Sequence, residues 1–475
     1  MQIMLDVWLT QRFRVLPSLY RSALPRFASA GATIVLLAGC SSLGLDYAKP
    51  EMRLSSAYVS TSPAGSTVTA ETSWWTAFGD KQLDAFIAAG LAQNLTVLQA
   101  IERVTAARAT AQINGVSFGP SVNGSASGSI SGNTASDAIT TSRSAAIDAS
   151  WEIDLFGAGK RSREAQAANV QAAEEAVNGA RLTLIGEVAS AYVNIRTYQR
   201  RLALARASLE TQTATTDVVR KQVAAGAATE LALAQSVGQQ QSTAAGIPSL
   251  EAALQQSINA LAVLLGQQPA DIQAAFRKSG SIPRAAGSIG KGVPADLLRS
   301  RPDIRQAERE LASAVADIGV KEADLYPSLT LSGALSANGS VGAWSLAPSI
   351  TLPIFNRDRL TANVDLAKST ARGEFLAYRG TVLGAVRDVE DALVAYGREK
   401  SRRASLAASV AAYSKAAQLS KQLYDGGTAT YTELLNAQAA LQSAENALAQ
   451  SDAQLALDYI GLAKAFGGGW KIAGN

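Results

Sequence analysis

The stretch Ile147-Asp148-Ala149-Ser150-Trp151-Glu152-Ile153-Asp154-Leu155 alternates without a break: Ile147, Ala149, Trp151, Ile153 and Leu155 are apolar, and the four residues between them are polar. A period of two sustained this long is the pattern of a strand with one apolar and one polar face. Further segments read the same way. Leu329, Leu331 and Leu335 alternate with Thr330, Ser332 and Ser336, and Trp344, Leu346, Ile350, Leu352 and Ile354 alternate with Ser345, Ala347, Ser349 and Thr351. Val122 and Ile130 flank a weaker ladder of Ser, Gly and Ala. Strands are therefore expected near 120–132, 144–155, 328–336 and 343–354. Lengths of about 9 to 11 residues suit strands that cross a membrane as part of a barrel, lipid on one side and a polar lumen on the other. A soluble sheet lying on a helical core is the plainer alternative. Pro348 and Pro353 lack an amide donor and need edge or bulge positions.

Four strands cannot close a barrel, because the smallest membrane barrels have about eight. Several chains must share one. Two chains would give eight strands, whose side chains nearly fill the bore; three would give twelve and leave room for solutes, which favours a homotrimer.

The strands belong to a duplicated pattern with a shift of roughly 200 residues. Each half reads as a helix, two short strands and a very long helical stretch. The first half has Phe118-Gly119-Pro120-Ser121 before its strands, Leu155-Phe156-Gly157 after them and a turn at Gly226; the second has Leu325-Tyr326-Pro327-Ser328, Ile354-Phe355-Asn356 and Gly426-Gly427. The long stretches follow a coiled-coil rule. Leu184, Val188, Ala191, Ile195, Tyr198, Leu202, Ala205 and Leu209 recur at spacings of four and three, and Val382, Val386, Val389, Leu393 and Tyr396 repeat the seam. Some 60 residues of helix span roughly 90 to 100 Å. The fold class expected is mainly α, a long coiled-coil α-barrel plus four strands per chain that close as a twelve-stranded membrane barrel in a homotrimer.

The amino terminus adds a compartment. Arg12, Arg14, Arg21 and Arg26 precede an apolar run from Ala30 to Leu37, followed by Ala38-Gly39 and the chain's single cysteine, Cys40. A basic region, a short apolar region and small residues before a cysteine describe a lipoprotein signal peptide, with Cys40 as the lipidated first residue. The apolar run is too short for a spanning helix, which needs about 20 residues. Ser41 rather than Asp follows the cysteine, a weak pointer to outer-membrane sorting. The expected division is 1–39 signal peptide; 40–268 N-terminal repeat with long helices over 160–268; 269–298 connector; and 299–475 C-terminal repeat with long helices over 358–466.

Composition narrows the function. Histidine is absent, aromatics are 6% and charged residues 17%. Without histidine the commonest general base, a common metal ligand and every Ser-His or Cys-His pair are missing, so an envelope hydrolase has little support. The net charge of +4 includes no dense basic run, which leaves nucleic acid little to hold. No metal site or cofactor is expected beyond the covalent lipid. Asp148, Glu152 and Asp154 share the polar phase of one strand, so three copies would line a lumen with acids and favour cations. Alternatively, Asp154 pairs with Lys160 or Arg161 where the strand meets the helix.

Several local motifs together give a resemblance. They are Leu45-Asp46-Tyr47-Ala48-Lys49-Pro50, Trp74-Trp75-Thr76-Ala77-Phe78-Gly79-Asp80, Trp151 to Gly157, Arg299-Ser300-Arg301-Pro302-Asp303-Ile304-Arg305, Gly226 to Gln235 and Gly427 to Gln438. In this order the chain resembles TolC-type outer-membrane efflux proteins of the lipoprotein, NodT-like branch. The resemblance implies a trimer with an outer-membrane barrel, an α-helical barrel reaching into the periplasm, and an equatorial belt made by the termini and the connector. It also implies passive conduction, with opening when a periplasmic adaptor driven by an inner-membrane pump docks on the hairpin tips. Type I protein secretion uses the same design and remains open, as does, outside the family, a coiled-coil lipoprotein that tethers the envelope. In the family a Tyr precedes the second turn's glycine and carboxylates follow it. Tyr424 fits the tyrosine, Glu433 stands at one acidic position and Asn436 at the other. Ala232 occupies the place of a first-copy Asp and Ala429 that of a side chain charged in some members. Closure is thus expected to rest on Tyr424 and helix packing rather than on a charge network. Glu433 also reads as a solvated helix-face carboxylate. Gly226 and Gly427 are the turns an adaptor would contact, although a helix-ending glycine needs no partner. Pro302 reads as the first residue of a helix, and Trp74 and Trp75 either as interfacial anchors or as packing beneath the belt.

Overall fold

The computed structural model describes residues 42–59, 73–135, 138–286 and 300–469. Cys40, the expected signal peptide 1–39, residues 287–298 of the expected connector and Arg299 lie outside them. A 3-10 turn, Trp74–Phe78, precedes α1 (Lys81–Gln93), α2 (Leu95–Val116), β1 (Ser121–Asn133), β2 (Ala138–Ile153), α3 (Ala158–Ala224), α4 (Glu230–Leu264) and the short α5 (Pro269–Ile272). Then come α6 (Pro302–Ala323), β3 (Ser328–Asn338), β4 (Val341–Thr351), α7 (Arg357–Asp425) and α8 (Tyr431–Ala465). The two halves have the same order and nearly the same lengths. α2 and α6 have 22 residues each, α4 and α8 35 each, and α3 and α7 have 67 and 69. Pro302 does open α6, where its missing N–H costs nothing.

The strands form one antiparallel sheet in the order β1-β2-β3-β4. Its registers put the side chains in phase across all four strands. Ser125, Asp148, Ser332 and Ser345 belong to one face, with hydroxyls predominating, while Ile147, Trp151, Leu331, Leu335, Trp344 and Ile350 belong to the other. Cross-strand hydroxyl pairs Ser127–Ser144 and Ser129–Ser142, each 2.8 Å apart, lie on the polar face. The boundaries differ from expectation most at the start of β2 and the end of β4. β2 begins at Ala138, because Ala138 to Arg143 continue the ladder opposite Asn133 to Gly128. β4 stops at Thr351, ahead of Pro353, and Pro348 sits within this edge strand.

The helices have no globular centre of their own and gain one where the belt elements meet them. Leu83 and Ile87 of α1, Ile185, Val188 and Tyr192 of α3, Leu261 and Leu265 at the end of α4, and Tyr459 of α8 form one core. Each such aliphatic side chain, fully buried, contributes about 1.5–3 kcal/mol. Asp80 caps α1 by accepting from the Gln82 and Leu83 amides, at 2.9 and 3.3 Å. The same carboxylate accepts from the Tyr192 hydroxyl at 2.6 Å, and burial pushes that hydroxyl up to about 12. Trp74 is buried, donates to the Gly468 carbonyl at 3.2 Å and meets Trp75 edge-on, which makes it a packing residue of the belt. A second core joins Ile304, Leu311 and Ile318 of α6 to Tyr378, Val382 and Val389 of α7, with Tyr58 and Phe466.

Candidate functional site

The free ends of the two long hairpins, α3–α4 and α7–α8, are built alike. α3 ends with Gly226 at φ 73°, its N–H on the Val223 carbonyl at 2.9 Å and that of Ala227 on the Gln222 carbonyl at 2.7 Å. α7 ends with Gly427 at φ 73°, its N–H on the Tyr424 carbonyl at 3.0 Å and that of Thr428 on the Leu423 carbonyl at 2.9 Å. This paired closure requires a left-handed residue, which glycine adopts at no steric cost. Thr229 then caps α4 and Thr430 caps α8.

The predicted gate residues have distinct surroundings. The Tyr424 hydroxyl donates to Oε1 of Gln222 at 2.5 Å, joining the second hairpin to the first, and its ring meets Tyr431 edge-on at 6.1 Å. Burial, with Tyr431 beside it, raises the hydroxyl above its ordinary pKa. Glu433 completes a capping box, its carboxylate accepting from the Thr430 amide at 2.7 Å while its own amide donates to the Thr430 hydroxyl at 3.3 Å. Those hydrogen bonds hold the carboxyl below its usual range. Asn436 is exposed on α8, a turn beyond Glu433. Ala232 occupies in the first hairpin the cap position that Glu433 fills in the second, with its amide on Thr229. Nearby charges pair within their own helices, Arg220 with Asp217 at 2.6 Å and Lys421 with Asp425 at 2.8 Å. Tyr424–Gln222 is the hairpin-to-hairpin hydrogen bond at the described tips.

At the other end of the helices the acids separate. Asp148 and Glu152 stand on the hydroxyl-rich face of β2. Asp154 does not join them: β2 ends at Ile153, and the Asp154 carboxylate accepts from the Lys160 backbone amide at 3.1 Å, in the first turn of α3. Of its two expected places, lumen and strand-to-helix junction, Asp154 takes the junction, meeting Lys160 through the backbone amide rather than as an ion pair, because four unpaired amides at a helix start attract a carboxylate. Arg161, the other basic candidate, instead holds the chain that follows the cysteine. Its side chain is buried, donating to the Leu43 and Gly44 carbonyls at 2.8 and 2.9 Å and pairing with Asp46 at 3.0 Å.

A model of outer membrane efflux proteins matches residues 87–267 and 293–468, that is, both halves. The chain belongs to the outer membrane efflux protein family. Nodulation protein T of Rhizobium leguminosarum bv. viciae is 37% identical over 454 residues, covering 94% of each chain. The cation efflux system protein CusC of Escherichia coli O6:H1 is 32% identical, over 92% of this chain and 97% of its own. Among solved structures, the outer-membrane channel OprN superposes with a TM-score of 0.83 at 31% identity, over 90% of this chain and 99% of that one. This efflux protein is thus an outer-membrane channel with a helical body that extends into the periplasm.

Two parts of the efflux protein's site escape a reading of the sequence. Gln222 is a glutamine among many, and only the alignment of the two turns would draw attention to its neighbourhood. The segment 42–59 forms a strap: Leu43 donates to the Phe156 carbonyl at 3.0 Å, the Tyr47 hydroxyl to Glu308 at 2.6 Å, and the Val59 amide to Glu390 at 2.6 Å. Close approach is made possible by glycines. A Cβ on Gly319 would lie 2.9 Å from the Leu43 carbonyl oxygen, and one on Gly157 2.7 Å from the Ser42 Cα.

Proposed function

We propose that three copies of this chain close their sheets into one twelve-stranded barrel and their long hairpins into one periplasmic tube, the exit duct of a tripartite efflux system. The observation that supports this most directly is the sheet itself: one apolar face, one hydroxyl-rich face and two open edges in a protein of the outer membrane. Lipid would meet the apolar face and solutes the other. Tyr424 and Gln222 hold the tips together in the resting state, helped by the capped turns around Glu433 and Asn436. A periplasmic adaptor docking near Gly226 and Gly427, under an inner-membrane pump, would separate them. Cys40 is the proposed lipidation site. Ser42, two residues on, lies beside Lys160 and Gly157 at the helix end nearest the barrel, a position that suits an acyl anchor in the inner leaflet.

Asp148 and Glu152, repeated three times, would make the lumen prefer small cations. Reversal potentials across planar bilayers under a salt gradient test this. Cation preference is expected in the native channel and its loss in D148N/E152Q, whereas anion preference in the native channel would refute the assignment. Single channels should also be small and intermittently open; a nonconducting protein would contradict the duct.

A further inference from the structure

β1 and β4 are the edges of the sheet, and within one chain each has a single neighbour. An open edge in hydrocarbon leaves backbone donors and acceptors without partners, so membrane sheets close. A second copy of this chain is the occupant that fits, β4 of one meeting β1 of the next, antiparallel as in the rest of the sheet. This rests on the three-copy barrel proposed above, and the registers within one chain restrict how the edges meet.

The side-chain phase is the first restriction. Ser125, Ser127 and Ser129 of β1 and Ser345, Ala347 and Ser349 of β4 lie on the same face, so a continuous polar lining requires odd-numbered residues opposite odd. The stagger of the strand ends is the second. At the helix end, Ser121 lies opposite Ser150, whereas Thr351 lies opposite Ser328, one rung beyond the Leu329–Ile153 pair; this margin falls by four residues from β1 to β4. At the far end, Asn133 lies opposite Ala138, while Val341 lies opposite Asn338, level with Ser144; that margin falls by six. Both falls accumulate over three strand-to-strand steps, and a protomer contributes four to the ring. The shift per protomer is then between about five and eight residues, and the phase rule leaves six or eight. A shift of six pairs every residue of β4 and tilts the strands by about 46°, close to the usual 35–45°, whereas eight leaves part of β4 unpaired and tilts them by about 54°.

We propose that β4 joins β1 of the next copy with Ala347 opposite Ser127, Thr351 opposite Asn123 and Val341 opposite Asn133. In this register Pro348, which has no N–H to give, lies opposite Ala126. A proline in an edge strand turns its nitrogen away from its existing partner, so Ala347 occupies a site that does not hydrogen-bond across the seam. Opposed Cα atoms at such sites are about 4.5 Å apart, within disulfide range.

The test combines A347C with S125C, S127C or S129C in the full-length protein, oxidised in outer membranes and compared on non-reducing gels with the single-cysteine variants. S127C/A347C is expected to give a covalent trimer at least tenfold more abundant than either alternative. Preferential cross-linking of S125C/A347C or S129C/A347C would overturn the register, as would no cross-link in any pair when the native mass in detergent is that of three chains. A native mass of one chain would instead overturn the three-copy barrel on which the proposal rests.

Discussion

Tyr424 and Gln222 hydrogen-bond through two groups that carry no charge at neutral pH. The raised pKa of Tyr424 has a definite sign: the neutral donor is fully present below the ordinary tyrosine pKa, and the contact is lost only as pH rises through the higher folded value. Glu433 behaves oppositely. Its depressed pKa keeps the cap ionised and intact above the ordinary carboxylate range, and the cap weakens as pH falls through the folded value. Open probability in bilayers should therefore be flat from pH 6 to 9 in the native channel; a steep change in that window would mean another titrating group controls the tips. Tyr424→Phe removes one hydrogen bond per chain, about 1 kcal/mol each and three per channel, and should raise open probability at least about fivefold. An unchanged open probability would show that the contact does not hold the tips closed. Of these residues, Tyr424 stands out in the sequence only through the resemblance to the family's second turn. Gln222 does not, since nothing in a linear pattern joins one hairpin tip to the other. Asp154 has two readings in the sequence, lumen or junction, and the structure favours the junction: the alternation runs on to Leu155, while the backbone leaves the sheet at Ile153 and the carboxylate meets the Lys160 amide.

At the scale of elements, the strands and long helices follow from periodicity because each has one face that must be covered. Of the expected seam, Leu184, Val188, Ile195, Leu202 and Ala205 are buried, while Ala191, Tyr198 and Leu209 are half-buried. What periodicity misses is burial on a second face. Arg196 and Gln199 of α3 are buried beneath the connector, where Arg196 lies over the Phe276 ring at 5.5 Å and Gln199 donates to the Phe276 carbonyl at 2.9 Å. On a helical wheel they are indistinguishable from solvated residues. The strap is likewise invisible as a pattern, since its hold depends on glycines in elements far apart in sequence. Gly319→Val would push a branched side chain into Arg161 and the Leu43 carbonyl, and it should free the strap. Limited proteolysis of the native protein should then cut within 42–59 several times faster than in the parent; equal rates would show that the strap is held by other contacts.

At the scale of the molecule, duplication explains an asymmetry. α6 packs on both α3 and α7, while its counterpart α2 packs along α3 and leaves Leu95, Leu98, Ile113 and Val116 exposed. Phe156 stacks on Tyr326 at 4.8 Å, while its counterpart Phe355 is fully exposed. On the three-copy arrangement proposed above, three chains of two halves would form a ring of six half-repeats, and a neighbouring half-repeat would be expected to cover these open features. Sheet edges and helix faces thus ask for the same neighbour, another copy. The most direct test is the native mass of the protein extracted from outer membranes in mild detergent. Three chains per particle is the result this account predicts; a single chain, stable and still folded, would contradict it.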